Sequence, residues 1–239
     1  MGLYELLKEG SKKLSIKISD RDIEALLTYK DILLEWNKKI NLTAIIEEED
    51  IVIKHFLDSL SCMGVGQLKD RGKMIDVGTG AGFPGIPLKL LLPNIELTLL
   101  DSLKKRVNFL REVVGQLGLE GVRCLHGRAE DYGRKEGYRD CYDYAVARAV
   151  APLNVLVEYC MPFVKPGGYF ICQKGINLEE ELAEAQRAIG LLGAKIVDKK
   201  RIELPFSEIT HSILVLEKTR ESPTKYPRRP GRPTKNPIK

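Results

Sequence analysis

The sequence predicts an α/β fold in which helices cover both faces of a mostly parallel, seven-stranded sheet whose last strand is antiparallel. From residue 73 onward, short apolar β-rich segments alternate with amphipathic helical segments, which is typical of βαβ units. A glycine-rich turn, residues 78–85, follows the first of these strands. The last two strands are joined by residues 204–209, a connection too short for a crossover helix, so these strands must run antiparallel.

Ahead of the sheet, the chain is predicted to be helical. Residues 3–36 carry apolar side chains at helical spacing, and Ser19 followed by Asp22 is typical of a helix start. Residues 50–63 give a further amphipathic helix. We therefore expect an amino-terminal helical region comprising residues 1–65.

Residues 66–218 are predicted to form the sheet domain. The strands are expected at residues 73–77, 95–100, 122–126, 142–147, 168–173, 194–202 and 211–218. The helices between them are expected at about residues 84–91, 103–117, 152–161 and 177–191. Strands joined by helices run parallel and are buried on both faces, which explains their continuous apolar character.

The turn after the first strand indicates a site for an adenosine-containing cofactor. Ligands of doubly wound sheets bind at the carboxyl ends of the strands, and glycines let the backbone approach them closely. Gly78, Gly80 and Gly82 provide such a turn. Asp101 ends the second strand, where its carboxylate is placed to accept hydrogen bonds from both ribose hydroxyls.

Two cofactors fit this unit. Residues 80–85 satisfy the G-x-G-x-x-G pattern of NAD-binding folds. The other interpretation is a D-x-G-x-G-x-G loop that begins at Asp76, in which this carboxylate can hold the ammonium group of S-adenosylmethionine. We favour S-adenosylmethionine because Gly78 directly follows the apolar strand, whereas the NAD register places Pro84 inside the tight turn. The antiparallel last strand also fits the Rossmann-like fold of class I S-adenosylmethionine methyltransferases better than a dinucleotide fold.

The ends of the third and fourth strands suggest how the rest of the site is built. Ala129 and Glu130 follow the third strand and are placed to meet the adenine edge, although acidic residues there also cap helices. Residues 147–152 follow the fourth strand, whose tip faces the transferred methyl in this fold. They lack the Asn-Pro-Pro-Tyr-like residues of amino-group methylases and a cysteine for methylation at pyrimidine C5.

These absences favour an acceptor that is already nucleophilic at neutral pH, such as N7 of guanine. Catalysis would then consist mainly of positioning and desolvation. Arg148 is the candidate catalytic residue, since it can recognise guanine O6 or a flanking phosphate. The alternative role for Arg148 is a structural ion pair at the strand end.

Composition favours a cytoplasmic protein without a metal site. No apolar run approaches the roughly 20 residues of a membrane span, and no secretion signal is present. The five cysteines are irregularly spaced and mostly lie in apolar segments, as expected for buried thiols in a reducing compartment. No C-x-x-C occurs, and the three histidines are far apart.

The net charge of +5 is concentrated in the tail, residues 219–239. This segment holds seven basic residues and one acidic residue, so the remainder of the chain has a net charge of −1. Its prolines exclude a helix or strand interior. We expect an extended arm in which Arg228, Arg229 and Arg232 contact phosphates. The alternative is a solvated tail without a ligand.

Several segments, in order along the chain, resemble the ribosomal RNA small subunit methyltransferase G family, also called glucose-inhibited division protein B. The segments are Trp36-Asn-Lys-Lys-Ile-Asn-Leu-Thr43, His55-Phe-Leu-Asp-Ser59, Asp76-Val-Gly-Thr-Gly-Ala-Gly-Phe-Pro-Gly85, Asp101-Ser-Leu-Lys-Lys105, Gly127-Arg-Ala-Glu130, Ala147-Arg-Ala149 and Tyr226-Pro-Arg-Arg-Pro-Gly-x-Pro. The resemblance implies N7 methylation of one guanine in bacterial 16S ribosomal RNA, with S-adenosylmethionine as donor.

The resemblance also implies roles for individual residues. Those implied to bind the cofactor are Gly78 and Phe83 on the methionine side, Asp101, Ser102 and Leu103 at the ribose and adenine, Ala129 and Glu130 at the adenine edge, and Arg148 beside the methyl. Asp76 and Gly80 belong to the same loop. Asp58 and Ser59 are candidates to cap the site and contact RNA, or only pack against the glycine loop.

We expect a monomer that acts on 16S ribosomal RNA or a small-subunit particle. Three other functions remain open at this point. They are methylation of another RNA or a small molecule by the same fold, RNA binding without catalysis by a relic cofactor fold, and NAD-dependent reduction.

Overall fold

The described residues of the computed structural model, 1–148, 151–175 and 177–239, form a seven-stranded sheet flanked by helices. Its strands are β1 (Gly72–Val77), β2 (Ile95–Asp101), β3 (Val122–His126), β4 (Tyr142–Arg148), β5 (Val164–Lys174), β6 (Ala194–Glu203) and β7 (Thr210–Lys218). Their order in the sheet is β3-β2-β1-β4-β5-β7-β6. β7 runs antiparallel to both of its neighbours, β5 and β6, and the other described strand pairs are parallel, which confirms the predicted fold class.

Helices lie before the sheet, between its strands and in the tail. They are α1 (Leu3–Lys13), α2 (Asp20–Asn37), α3 (Glu48–Ile51), α4 (Asp58–Leu60), α5 (Gly85–Leu91), α6 (Lys104–Gln116), α7 (Ala129–Tyr132), α8 (Leu153–Cys160), α9 (Leu178–Leu191) and α10 (Arg232–Lys235). The predicted start of α2 is a capping box. Asp22 N–H donates to the Ser19 hydroxyl at 3.2 Å, and Ser19 N–H donates to the Asp22 carboxylate at 3.0 Å.

The helix predicted at residues 50–63 is in place but is not a regular α-helix. Between α3 and α4 the backbone forms a π-helix, Val52–Leu57, and a 3-10 turn, Ser61–Gly64, follows α4. The segment is buried on nearly every side. Its apolar residues pack into the core, whereas the polar His55 and Ser59 are buried at the carboxyl edge of the sheet. Amphipathic spacing therefore located the helix without revealing its geometry.

One hydrophobic core joins the amino-terminal helices to the sheet. Tyr29 of α2 is fully buried, and its ring lies 5.5 Å from Phe56, 5.4 Å from Phe83 and 6.5 Å from Phe109, measured between centroids. These aromatic residues belong to one buried cluster, which also contains side chains of the central strands. Residues 1–65 therefore pack onto the same core as the sheet, and this packing places α2 against the glycine loop.

The tail is folded onto the body of the protein, so the expectation of an extended arm is wrong. Tyr226 and Ile238 are buried, with 8% and 7% of their surface exposed. Prolines prevent a long helix here but do not prevent packing, because side chains of the body satisfy the tail carbonyls. Arg139 donates to the carbonyls of Ser222 at 2.6 Å and Tyr226 at 2.8 Å.

None of the described helices is both long and apolar enough to cross a membrane. Within the same described ranges, no group of three or more His, Cys, Asp or Glu residues is arranged to hold a metal ion. Cys62, Cys160 and Cys172 are buried, and burial raises the pKa of the Cys172 thiol to about 12.

Candidate functional site

The glycine loop lies between β1 and α5 at the carboxyl edge of the sheet. Gly78, Gly80 and Gly82 have positive φ angles of 71°, 61° and 97°, which side chains disfavour. A Cβ at Gly82 would overlap the hydroxyl of Tyr29, which donates a hydrogen bond to the carbonyl of Ala81. A Cβ at Gly80 would meet nothing within 4 Å. One side of the loop is therefore closed by α2, and the other is open to a ligand.

Asp76 holds this loop in place through two hydrogen bonds. It is fully buried, and its Oδ2 accepts hydrogen bonds from the Thr79 hydroxyl at 2.7 Å and the Gly85 N–H at 2.8 Å. Burial raises the pKa of its carboxyl to about 6. Asp76 lines neither of the two cavities beside the loop. Among the described residues, its Oδ1 has no hydrogen-bond partner. Asp76 therefore holds the loop through Oδ2, and its contact with the cofactor's ammonium group stays a prediction.

Two cavities meet at Gly78, which lines both. The first, the adenosine cavity, has a volume of about 410 Å³ and is bordered by Ser102, Ala129 and Glu130. The second, the methionine cavity, has a volume of about 330 Å³, and its lining includes Gly80, Phe83, His55, Arg106 and Arg148. The pair forms an elongated site along the strand ends, which fits a cofactor with an adenosine part and an amino-acid part.

Asp101 is buried at the end of β2; it precedes Ser102 of the adenosine cavity and contacts Gly80 of the methionine cavity, although it lines neither cavity itself. Its Oδ2 accepts from the Gly80 N–H at 3.0 Å, and its Oδ1 accepts from the Leu103 N–H at 2.8 Å. Arg106 lies 3.5 Å away. Since each carboxylate oxygen can accept more than one hydrogen bond, Asp101 retains capacity for ribose hydroxyls. Leu103 is 43% exposed, beside Ser102 of the adenosine cavity.

Arg148 ends β4 in the wall of the methionine cavity. Its Nη1 donates to the Asp58 carboxylate at 2.6 Å and to the Lys54 carbonyl at 3.1 Å. Its guanidinium carbon lies 4.9 Å from the centroid of Phe83. These contacts hold a planar cation at the strand tip where the methyl group is expected. Ala149 and Val150, which continue the predicted acceptor-selecting loop, lie outside the described residues.

His55 is held as a neutral imidazole next to Arg148. Burial, together with the positive charge of Arg148, lowers the pKa of His55 to about 3. Its Nδ1 accepts from Nη2 of Arg148 at 3.2 Å, so the proton resides on Nε2, which lies 2.9 Å from the Thr43 hydroxyl. The ring stacks on Phe83, with centroids 4.5 Å apart. Both nitrogens are therefore engaged, and His55 positions Arg148.

Ser59 is fully buried, so its proposed contact with RNA is wrong, whereas Asp58 is only partly buried and its contact with RNA stays a prediction. Asp58 lies between Arg148 and His211. Its Oδ2 is 2.6 Å from Nη1 of Arg148, and its Oδ1 is 3.2 Å from Nδ1 of His211. Ser59 is fully buried and donates a hydrogen bond to the His55 carbonyl at 2.5 Å. Asp58 is the counter-charge of Arg148, and Ser59 stabilises the helix that carries Asp58.

Arg228 is engaged mainly within the protein, although 24% of its side chain is exposed, and its contact with phosphate stays a prediction. Its backbone N–H and its guanidinium donate to both oxygens of Glu158, at distances of 2.6–3.1 Å. Glu158 is fully buried, so its carboxylate depends on Arg228 for a counter-charge. Arg229 and Arg232 are exposed and remain candidates for phosphate contact.

Sequence reasoning missed several residues of the site. Arg106 lines the methionine cavity together with Arg148, and its guanidinium suits an anionic group such as a carboxylate. Its only sequence signal is its place in the first turn of α6, five residues after Asp101. Gly231 and Thr234 of the tail line the adenosine cavity, and no local pattern indicates this.

Comparison with known proteins assigns the family. Residues 22–205 match GidB, rRNA small subunit methyltransferase G. A protein named ribosomal RNA small subunit methyltransferase G from Alkaliphilus metalliredigens is 64% identical over 234 residues, covering 98% of each chain. The protein of the same name from Alkaliphilus oremlandii is 62% identical over 239 residues, and the alignment covers 100% of both chains. The chain belongs to this family.

Solved structures share the fold at low identity. A methyltransferase from Methanosarcina mazei described as S-adenosylmethionine-dependent matches with a TM-score of 0.50 and 15% identity, covering 65% of this chain and 96% of the other. A fibrillarin pre-rRNA processing protein from Methanococcus jannaschii matches with a TM-score of 0.51 and 20% identity, covering 65% and 70%. Fold and family together confirm an S-adenosylmethionine-dependent methyltransferase and exclude the NAD interpretation.

Replacing Asp101 with alanine should weaken S-adenosylmethionine binding by about 1.5–3 kcal/mol, because hydrogen bonds from the ribose to a charged acceptor are lost. Calorimetric titration measures the change. Asp131→Ala is the matched control, since Asp131 is exposed and lies next to Glu130. Equal affinity of both variants, with cooperative melting, would contradict the ribose assignment of Asp101.

Proposed function

We propose that the protein transfers the methyl group of S-adenosylmethionine to N7 of one guanine in 16S ribosomal RNA. The observation that carries this proposal is that the described lining of the methionine cavity contains no free base. Among its described lining residues none is a carboxylate, and both nitrogens of His55 are engaged. A site of this kind suits an acceptor whose lone pair needs no deprotonation, and N7 of guanine is such an atom.

When bound, S-adenosylmethionine supplies a methyl group on a sulfonium sulfur, which an in-line lone pair can displace. The protein contributes position and charge. Phe83 provides an apolar wall, and Asp58 neutralises Arg148, so that the cavity does not repel a cationic ligand. We assign Arg148 to the side of the cavity that the guanine approaches, where residual donor capacity of its guanidinium can meet O6.

The family name supports ribosomal RNA as the substrate, and exposed basic residues of the tail support contact with its backbone. Arg229 and Arg232 are exposed in the same segment that borders the adenosine cavity. The double variant Arg229→Ala/Arg232→Ala should bind small-subunit RNA with a slope of log K against log salt that is smaller by about 1.4, since each phosphate contact on a single strand contributes about 0.7.

Filter binding over a salt series, without cofactor, measures this slope. The control is Lys195→Ala/Lys199→Ala, which removes two charges from β6 at the far edge of the sheet. If both double variants keep the slope of the unaltered protein, the tail arginines are only solvated surface.

The test of the reaction uses RNA from cells that lack this protein. Naked 16S RNA, an assembly intermediate and the mature small subunit are each incubated with the enzyme and labelled S-adenosylmethionine. Borohydride followed by aniline cleaves RNA at 7-methylguanosine, and primer extension locates the cut. We expect one cleavage site in at least one of these substrates. Incorporated label without an aniline-sensitive site would overturn N7 as the acceptor.

The same reactions distinguish naked RNA from a protein-bearing particle as the substrate. RNA from cells that contain the protein is the control, because its target guanine is already methylated. We further propose that the enzyme acts as a monomer, since both cavities are formed by one chain. Sedimentation of the active enzyme tests this.

A further inference from the structure

The adenosine cavity has two walls of different origin. The inner wall consists of strand ends and the residues that follow them, among them Ser102 and Glu130. The outer wall includes Gly231 and Thr234, which belong to the tail, residues 219–239. Gly231 and Glu130 are 101 positions apart in the chain, so this wall exists only because the tail folds back over the sheet edge.

The tail contacts Glu130 directly. The N–H of Gly231 donates to Oε1 of Glu130 at 2.9 Å, and Glu130 is only 5% exposed. Among the described residues, this is the one hydrogen bond made to the carboxylate of Glu130, and it engages Oε1. A carboxylate fixed through one oxygen presents the other to the cavity, where the exocyclic amino group of adenine is a suitable donor.

The wall is anchored to α8 at two successive residues. Glu158, fully buried, receives the backbone N–H and the guanidinium of Arg228. The hydroxyl of Tyr159, which also lines the cavity, lies 2.9 Å from the hydroxyl of Thr234. These anchors stand on either side of Gly231, so the position of its N–H is fixed before any ligand binds. Such preorganisation lowers the entropic cost of binding.

We propose that the tail is part of the cofactor site: Gly231 and Thr234 form the outer wall of the adenosine subsite, and Gly231 is a positioning residue that orients Glu130. The proposal rests on the cofactor and is independent of which nucleotide is methylated. Binding of S-adenosylhomocysteine in the absence of RNA therefore tests it separately from the proposed function.

The first experiment measures whether bound cofactor covers the wall. Thr234→Cys places a thiol in the wall, and Thr224→Cys places one on an exposed part of the same tail outside the cavity. Each variant is alkylated with N-ethylmaleimide, and the modified peptide is quantified by mass spectrometry, which separates it from the native cysteines. At S-adenosylhomocysteine about tenfold above its Kd, alkylation at position 234 should slow about tenfold, because only the free fraction reacts.

Alkylation at position 224 should not respond to the ligand. If position 234 reacts equally fast with and without S-adenosylhomocysteine, at a concentration shown by titration to saturate that variant, the tail does not cover the bound cofactor and the proposal is overturned.

The second experiment tests the positioning role with two matched glycines. Gly231 and Gly167 have φ angles of 78° and 82°, and a Cβ at either position would meet nothing within 4 Å. Alanine therefore introduces similar backbone strain at both, but only Gly231→Ala displaces the N–H that holds Glu130. We expect the affinity for S-adenosylhomocysteine to fall about tenfold in Gly231→Ala and to stay unchanged in Gly167→Ala. Unchanged affinity in both variants would overturn the positioning role.

Discussion

Replacing Arg148 with alanine should lower the single-turnover rate of methyl transfer by about two orders of magnitude and change cofactor affinity by less than about tenfold. Arg148 borders the methionine cavity, and contacts with Asp58, His55 and Phe83 hold its guanidinium in place. Losing it removes the group that faces the acceptor, whereas the adenosine cavity, which binds the larger part of the cofactor, is unchanged. Rapid-quench transfer and calorimetric binding measure the two effects.

Two further variants separate the roles of Arg148 and its counter-charge. Arg148→Lys keeps the charge but cannot reproduce the planar, multidentate contacts, so transfer should stay low. Asp58→Asn leaves an uncompensated cation at the cavity, so binding of cationic S-adenosylmethionine should weaken more than that of neutral S-adenosylhomocysteine. If Arg148→Ala retains transfer within a few-fold, Arg148 is only a structural ion-pair partner of Asp58.

Replacing Arg228 with alanine should lower the free energy of unfolding by about 3 kcal/mol, because Glu158 remains buried without its counter-charge. This value lies at the lower end of the range for broken buried pairs, since the Arg228 side chain is 24% exposed and Glu158 is fully buried. Urea denaturation measures it. The neighbouring Arg229→Ala is the control, and as an exposed residue it should change stability by less than about 0.5 kcal/mol.

The double variant Glu158→Gln/Arg228→Ala tests the cause of that loss. It removes the buried charge together with its partner, so it should recover part of the stability that Arg228→Ala loses. Equal stability of Arg228→Ala and Arg229→Ala would show instead that water reaches Glu158 and solvates it.

The sheet was predictable because its signals are local. The central parallel strands β1, β2 and β4 are buried on both faces and therefore read as short apolar runs between helical segments, whereas the edge strand β3 is only partly buried. The predicted β3, residues 122–126, coincides with the observed strand, and the predicted β7, residues 211–218, begins one residue late. The glycine loop was predictable for the same reason, since several positions in a short stretch need positive φ angles.

The contacts that complete the site lack such signals. Arg148 and Asp58 are 90 positions apart, and Arg228 and Glu158 are 70 apart. These pairs form because separate segments meet at the sheet edge, which depends on how α8 and the amino-terminal helix pack. The arginines of the tail predicted phosphate contacts by composition alone. Composition does not reveal that one of them, Arg228, pairs with the buried Glu158.

The π-helix at Val52–Leu57 holds one residue more than the same turn of an α-helix would hold. Deletion of one residue here would let the helix continue as a regular α-helix with its hydrogen bonds intact. Because the wide turn absorbs the extra residue, the two halves of the helix would keep their relative orientation, with the apolar residues in the core and Asp58 facing Arg148. The deletion would remove the wide turn itself and with it the present position of His55, whose Nδ1 accepts from Arg148. The extra residue of this helix therefore serves the methyl-transfer site and not the fold.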